Sequence, residues 1–133
     1  MRYYYHMTTW NLEGSQRLVL LCNGDTCSQR GADDVTLALR RAITEAGLDP
    51  VVHTARTRCL GRCDDGCTVV VQPDNVWYRE ITPELARQIV DRHLRDSDHV
   101  DANVSFVPGA EGLQQVSGTR PGVEKPRPGK QPR

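Results

Sequence analysis

The chain has 133 residues, with 17 Lys plus Arg balanced by 17 Asp plus Glu. This length fits one ordinary domain with tails. A neutral balance lacks the basic surface that binds a phosphate backbone, so no nucleic acid partner is expected. No apolar run approaches the about 20 residues of a membrane-spanning helix, and the first ten residues carry no apolar signal segment. The sequence therefore predicts a cytoplasmic protein with no membrane partner.

Hydrophobic periodicity predicts six elements. A continuous apolar run suits a buried strand, whereas Val35, Leu39 and Ile43 repeat at helical spacing before Gly47 ends the helix. Thr82 and Pro83 are typical of the start of a second helix. The predicted elements are a strand at 17–21, a helix from 32 to 46, strands at 51–57, 68–71 and 76–79, and a helix from 83 to about 95.

The order β-α-β-β-β-α predicts an α/β fold of thioredoxin-like type. A strand, a crossover helix and a second strand form a parallel unit, and an antiparallel hairpin and a covering helix follow. This gives a mixed four-stranded sheet with two helices over residues 16–107, with residues 104–107 as a candidate edge segment. Residues 1–15 are predicted to be a flexible leader. Residues 108–133, rich in Pro and Gly, are predicted to be a disordered tail.

The five cysteines are the residues that indicate a chemical function. Because the cytoplasm keeps thiols reduced, five cysteines in a cytoplasmic protein favour a metal-binding or redox role over disulfide bonds. Cys22 and Cys27 are spaced C-x4-C, and Cys59 and Cys63 are spaced C-x3-C. Each pair follows a predicted strand. If these two strands are parallel neighbours, both loops open at the same end of the sheet and four thiolates converge there.

Four thiolates suit either zinc or an iron–sulfur cluster. Structural zinc sites usually use C-x2-C, whereas the wider pairs here favour a two-iron cluster with each pair on a separate iron. Gly24, Gly61 and Gly66 permit loop backbones whose amides point at the sulfurs. A Rieske site needs two histidine ligands, and no histidine lies in the cysteine loops.

Three motifs, which follow one another along the chain, carry a family resemblance. They are residues 27–31 (CSQRG), the run from Cys59 through Cys63 to Gly66, and residues 69–78 (VVVQPDNVWY). From about residue 17 to about residue 107 the chain resembles the thioredoxin-like [2Fe-2S] ferredoxins, and it is similar to the two-iron flavoprotein subunit of respiratory complex I. The resemblance implies a [2Fe-2S] cluster on Cys22, Cys27, Cys59 and Cys63, and a tendency to form homodimers.

The chain departs from the family pattern at two places. Stand-alone members usually separate the first two cysteines by a longer loop than the C-x4-C of this chain. They also usually have proline after the glycine at position 66, where this chain has Cys67. That fifth thiol is interpreted as an idle buried cysteine, with a reserve ligand or a site of oxidative damage as alternatives.

The leading functional hypothesis is a one-electron carrier that serves a redox partner protein and is not itself an enzyme. The chain has no nucleotide-binding motif and no acid–base pair, and a carrier needs neither. The alternatives are a structural or regulatory zinc module on the same fold, and an electron-transfer subunit of a larger oxidoreductase complex.

Overall fold

The computed structural model describes residues 8–126 and residue 128. The predicted leader and tail therefore lie partly outside the described residues. The strands are β1 Arg17–Cys22, β2 Val52–Thr57, β3 Val69–Gln72, β4 Val76–Tyr78, β5 Val104–Gly109 and β6 Gly112–Gln115. The helices are α1 Asp25–Gln29, α2 Ala32–Glu45 and α3 Pro83–Gln88, which continues with π-helical winding over Ile89–Leu94; short 3-10 turns lie at Cys63–Asp65 and Asp101–Asn103.

The described strands form one mixed sheet in the order β2-β1-β3-β4-β5-β6. β1 and β2 are parallel, and every other neighbouring pair is antiparallel. The predicted α/β class and the parallel β-α-β unit are confirmed. The predicted strand number is wrong, because a hairpin of β5 and β6 extends the sheet from four strands to six. The sheet continues to Gln115, beyond the predicted domain end at residue 107.

The β6 strand falls inside the segment that was predicted to be disordered. Its four residues are all exposed, so no apolar alternation marks them as a strand. The strand instead pairs along the backbone with β5, from Phe106 opposite Gln115 to Gly109 opposite Gly112. Backbone pairing leaves no signature in composition, and composition was the basis for the prediction of disorder.

A second difference lies between β1 and the predicted first helix. The Asn23–Gly24–Asp25 sequence indicates a loop, but the chain forms the five-residue helix α1, with Asp25 in its first turn and buried Cys27 at its centre. An acidic residue is favourable at a helix N-terminus. This helical turn reverses the chain between Cys22 and Cys27.

The helices α2 and α3 cover one face of the sheet. Val35, Leu39 and Ile43 of α2 and Ile89 of the π-helical segment belong to the same buried cluster as the inward residues of the strands, such as Val19. The predicted helical stripe is thus confirmed as the inner face of α2. No helix among the described residues is long and apolar enough to cross a membrane.

A buried polar network crosses this core at the end of the sheet where β1 begins. The His93 imidazole is fully buried and lies 2.8 Å from the Tyr78 hydroxyl through Nδ1 and 2.7 Å from the Asp74 carboxylate through Nε2. Arg17 donates to the same carboxylate at 3.2 Å. Both ring nitrogens have partners, so the neutral imidazole is satisfied with Nε2–H donating to Asp74 and Nδ1 accepting from Tyr78.

This network predicts that acid destabilises the fold below neutral pH. Burial lowers the pKa of His93 from its ordinary value of 6.5, and the hydrogen bond to Asp74 only partly offsets this. The unfolded chain therefore takes up a proton that the folded imidazole resists, and stability is full above pH 6.5 and falls as the pH drops below it. Urea unfolding followed by far-UV circular dichroism between pH 7.5 and 5.5 should show this fall.

Asp74 also makes the fold less stable as the pH falls, but it does so in a lower pH range than His93. Burial alone would raise the pKa of this carboxyl, but the hydrogen bonds from His93 and Arg17 outweigh burial and lower it below 3.8.

For the prediction on acid stability, the variant His93→Gln removes the imidazole titration and serves as the comparison. An unfolding free energy that is constant from pH 7.5 to 5.5 in the wild-type chain would contradict the prediction.

Candidate metal centre

The parallel pairing of β1 and β2 brings the two cysteine loops to one end of the sheet. Cys22, the last residue of β1, lies opposite Thr57, the last residue of β2. The chain leaving β1 is tied to the chain leaving β2 by a hydrogen bond from Asn23 N to Thr57 O, 2.8 Å long. The expectation that both loops open on the same side is confirmed.

Cys22 and Cys27 form the inner pair of thiols. The two residues are 4% and 2% exposed, and the Cys22 thiol acts electrostatically on the Cys27 thiol. Burial, supported by the neighbouring Cys22 thiol, raises the pKa of Cys27 to about 11, although a backbone contact with Thr68 opposes the shift. A thiol in this position stays protonated at neutral pH unless a cation replaces its proton.

Cys59 and Cys63 form the outer pair, and both are exposed. Their sulfurs lie 3.5 Å apart. Two thiolates on one tetrahedral metal ion, with bonds of about 2.3 Å, place their sulfurs about 3.8 Å apart. The Cys59 thiol raises the pKa of Cys63, and a hydrogen bond with Thr26 of α1 partly counters this.

Glycines provide the space for this convergence. A Cβ at Gly66 would lie 2.9 Å from the Cys27 sulfur and 3.2 Å from the Cys63 carbonyl oxygen, and a Cβ at Gly24 would lie 2.9 Å from the Cys59 Cα. Gly61 donates its amide hydrogen to the Cys59 sulfur at 3.2 Å, as predicted for a glycine of the loop. Gly24 and Gly66 are therefore needed for close approach of the chain.

The fifth thiol, Cys67, lies beside the inner pair but points at the backbone. Its sulfur is 3.6 Å from the carbonyl oxygens of both Cys27 and Arg30, at the end of α1. Burial, aided by the negative charge of Cys22, raises its pKa. A protonated thiol that donates to these carbonyls anchors α1 against the start of β3. This geometry favours the interpretation of Cys67 as structural, which stays a prediction.

The charged residues of the loops differ in their exposure. Asp65 is 1% exposed, and its carboxylate accepts from Arg62 at 2.7 Å, so this carboxylate is buried inside the loop and does not face solvent. Arg30 is exposed and donates to the Asp64 and Gly66 carbonyl oxygens at 3.3 and 3.4 Å. Arginine side chains thus hold the outer loop while they surround it with positive charge.

The four thiols fit a two-iron cluster better than they fit a single ion. Two pairs on separate loops, with the outer sulfurs 3.5 Å apart, provide two ligands for each of two tetrahedral irons. His93 lies in the network at the opposite end of the sheet, and the His99 ring packs against it. The four thiols are therefore the candidate donors, and the site defines a small thioredoxin-like electron-transfer domain.

Comparison with known proteins supports this class. The family model for thioredoxin-like [2Fe-2S] ferredoxins matches residues 1–94. A protein from Priestia megaterium assigned as a 2Fe-2S ferredoxin is 44% identical over 88 residues, which cover 66% of this chain and 68% of that protein. A 2Fe-2S ferredoxin from Aquifex aeolicus is 36% identical over 77 residues, which cover 57% of this chain and 69% of that protein.

Solved structures agree with the sequence comparison. The crystal structure of the wild-type thioredoxin-like [2Fe-2S] ferredoxin from Aquifex aeolicus matches with a TM-score of 0.62 at 31% identity, over 68% of this chain and 96% of that one. A second structure of a thioredoxin-like [2Fe-2S] ferredoxin from the same organism matches with a TM-score of 0.67 at 28% identity, over 80% of this chain and 99% of that one.

The chain belongs to the thioredoxin-like [2Fe-2S] ferredoxin family. Its cofactor is a [2Fe-2S] cluster, and its function is that of an electron carrier and not of an enzyme. The predicted family, fold and cofactor are confirmed. The zinc module that was the alternative on the same fold is not retained.

The close approach at Gly66 generates a prediction about cluster assembly. Gly66→Ala and Gly24→Ala should each reduce the iron content of the purified protein by more than half, because the added methyl group pushes on Cys27 or on the backbone of Cys59. Gly47→Ala is the control: its φ of +70° strains alanine by about 1–2 kcal/mol, but the position has open space and lies far from the cysteines. Full iron content in Gly66→Ala would show that the loop adapts.

Proposed function

We propose that the chain is a one-electron carrier whose cluster is bound by Cys22, Cys27, Cys59 and Cys63. The observation that supports this assignment is the meeting of the two loops, with the outer sulfurs 3.5 Å apart and Gly66 in close approach to both Cys27 and Cys63. When bound, an all-thiolate [2Fe-2S] cluster supplies one-electron chemistry at a low potential, of order −400 mV in plant-type ferredoxins.

The two cysteine pairs differ in exposure, so one side of the site faces the core and the other side faces solvent. Cys22 and Cys27 are buried, whereas Cys59 and Cys63 are exposed. The Gly61 amide donates to the Cys59 sulfur, and Arg30 contacts the backbone just after Cys63, so donors and positive charge lie near the outer pair while it stays exposed. We infer that electrons enter and leave through the surface around Cys59 and Cys63.

The partner we propose is a redox protein that docks on this surface, whether the chain acts alone or as a subunit of a larger oxidoreductase. Transient electron-transfer complexes use small interfaces, below about 1,200 Å², and their charged rims mainly set the rate of encounter. Arg58 is exposed beside Cys59, whereas Arg62 is 15% exposed and held by Asp65. Arg58 is therefore the better probe of docking.

A cytoplasmic location and a homodimer belong to the same proposal. Five cysteines without a disulfide fit a reducing compartment. Leu20, Val70, Trp77 and Phe106 are aligned across β1, β3, β4 and β5 on the face opposite α2 and α3. We propose that two such faces pack against each other in the dimer, and a solution mass of 14.9 kDa by light scattering would exclude the dimer.

The ligand assignment predicts the outcome of single cysteine substitutions. Serine at position 22, 27, 59 or 63 should abolish or strongly alter the visible absorption and the EPR signal of the reduced protein, because one of the two irons loses one of its two cysteine ligands. The matched control is Cys67→Ser, in which a hydroxyl can still donate to the carbonyls of Cys27 and Arg30. Iron and sulfide analysis completes the measurement.

A different pattern would overturn this assignment. If Cys67→Ser lost the cluster while Cys63→Ser kept two irons, two sulfides and a native spectrum, Cys67 would be the ligand. The anchoring contact at the end of α1 would then be a feature of the cluster-free chain alone.

The docking proposal predicts a change in salt dependence. Arg58→Glu should change the rate of electron transfer from a competent reductase by severalfold at low ionic strength, and the difference should shrink above about 0.15 M salt as the charges are screened. The visible spectrum should stay unchanged. Arg41→Glu, at an exposed position of α2, is the control. Equal salt dependence in the two variants would place docking elsewhere.

A further inference from the structure

The chain beyond β5 returns to the cysteine loops, although it lies outside the family match at residues 1–94. We define residues 112–123 as the C-terminal arm; it comprises β6 and the turn and extended segment that follow. Residue Val116 donates its amide hydrogen to Ser105 O at 2.9 Å, which continues the attachment of the arm to β5. The arm therefore begins as an edge strand and then leaves the sheet.

A tight turn directs the C-terminal arm toward the loop that carries Cys63. The Gln115 side-chain amide donates to the carbonyl oxygens of Thr119 and Arg120, at 3.0 and 2.9 Å. The Thr119 hydroxyl donates to Val116 O at 2.6 Å. These three hydrogen bonds reverse the chain and place Arg120 over residues 62–65.

Arg120 makes contacts on both sides of this loop. Its guanidinium donates to the Asp64 carbonyl oxygen at 3.1 Å and forms an ion pair with Glu80 at 3.3 Å. Its own carbonyl oxygen accepts from the Arg62 guanidinium at 2.7 Å. Asp64 is the neighbour of Cys63, so the arm is fastened directly beside one of the proposed ligands.

The arm is also packed against the side chain of Arg62. A Cβ at Gly122 would lie 2.9 Å from Arg62 Nη1, and the Arg62 guanidinium lies 5.0 Å from the centre of the Phe106 ring. Arg62 is thus enclosed by the arm, by the aromatic ring of β5 and by buried Asp65 at 2.7 Å. The contacts of the arm continue through Arg62 to the backbone between Cys59 and Cys63.

We propose that the C-terminal arm is a clasp for the cluster loop, with Arg120 as its positioning residue. The inference rests on the proposed ligand role of Cys63. Because a cluster bound by four thiolates is released when one pair opens, a fastened Cys63 loop slows release of the cluster. Arg120 also completes a group of cations with Arg30 and Arg62, all in contact with residues 64–66 or with the arm.

This group of cations has a consequence for electron transfer. Reduction adds a negative charge to the cluster, and a nearby positive charge favours the reduced state. Loss of the Arg120 charge should therefore shift the reduction potential to a more negative value. The shift should become smaller at high ionic strength, because the Arg120 side chain is 52% exposed and salt screens it.

The test uses the full chain with its cluster. The variants are Arg120→Gln, which removes the charge, Arg120→Lys, which keeps it, and Gln115→Ala, which frees the turn while the arginine at position 120 is unchanged. Arg95→Gln is the matched control, since Arg95 is similarly exposed and belongs to a weak pair with Asp91 at 3.9 Å. The measurements are the rate of bleaching of the visible absorption in the presence of a chelator, and the reduction potential.

Arg120→Gln and Gln115→Ala should each bleach about fivefold faster than the wild type, the effect of losing about one net hydrogen bond. Arg120→Gln should also have a more negative potential, which Arg120→Lys restores. Bleaching rates and potentials equal to those of Arg95→Gln in all three variants would overturn the clasp. A Cys63→Ser variant with a native spectrum would instead overturn the ligand assignment, so the two failures are distinguishable.

Discussion

The parallel pairing of β1 with β2 is the constraint on which the cysteine site depends. Two parallel strands end at the same edge of a sheet, so Cys22 and the loop that carries Cys59 meet there, and Gly24 packs closely against Cys59. The crossover through α1 and α2 makes the parallel arrangement possible, and the burial of α2 against the sheet holds it. Cysteines that are distant in sequence thereby become neighbours.

The convergence of the cysteines also creates repulsion between thiolates, which hydrogen-bond donors and cations near the site reduce. Thiolates that converge at one site repel each other, and burial raises the pKa values of Cys27 and Cys67. The site contains amide donors such as Gly61 and cations such as Arg30, which favour negative charge on nearby sulfur. A metal cluster provides the remaining compensation, because it replaces the thiol protons.

The two ends of the sheet have different roles. The end where β1 begins holds a closed network in which Arg17, Asp74, His93 and Tyr78 satisfy one another in the core. The other end holds the thiols, of which the outer two are exposed. Rigidity at one end and accessibility at the other suit a carrier, since transfer of an electron requires a fixed site that a partner can approach.

The sequence by itself determined the elements that depend on local pattern. The helical stripe of Val35, Leu39 and Ile43, the strand of β1 and the paired spacing of four cysteines were all predictable, because apolar periodicity and ligand spacing are local properties. The convergence of the loops also followed, since it needs only the parallel β-α-β topology.

Tertiary structure alone decided the burial of Asp65, the contacts of Cys67 and the path of the arm. The exposed strand β6 pairs through its backbone, and Arg120 reaches Asp64 and Glu80 across more than half of the sheet. Hydrogen bonds of this kind join residues distant in the chain and need no apolar side chain. A composition rich in glycine and proline therefore predicted disorder where the backbone and one arginine hold the chain in place.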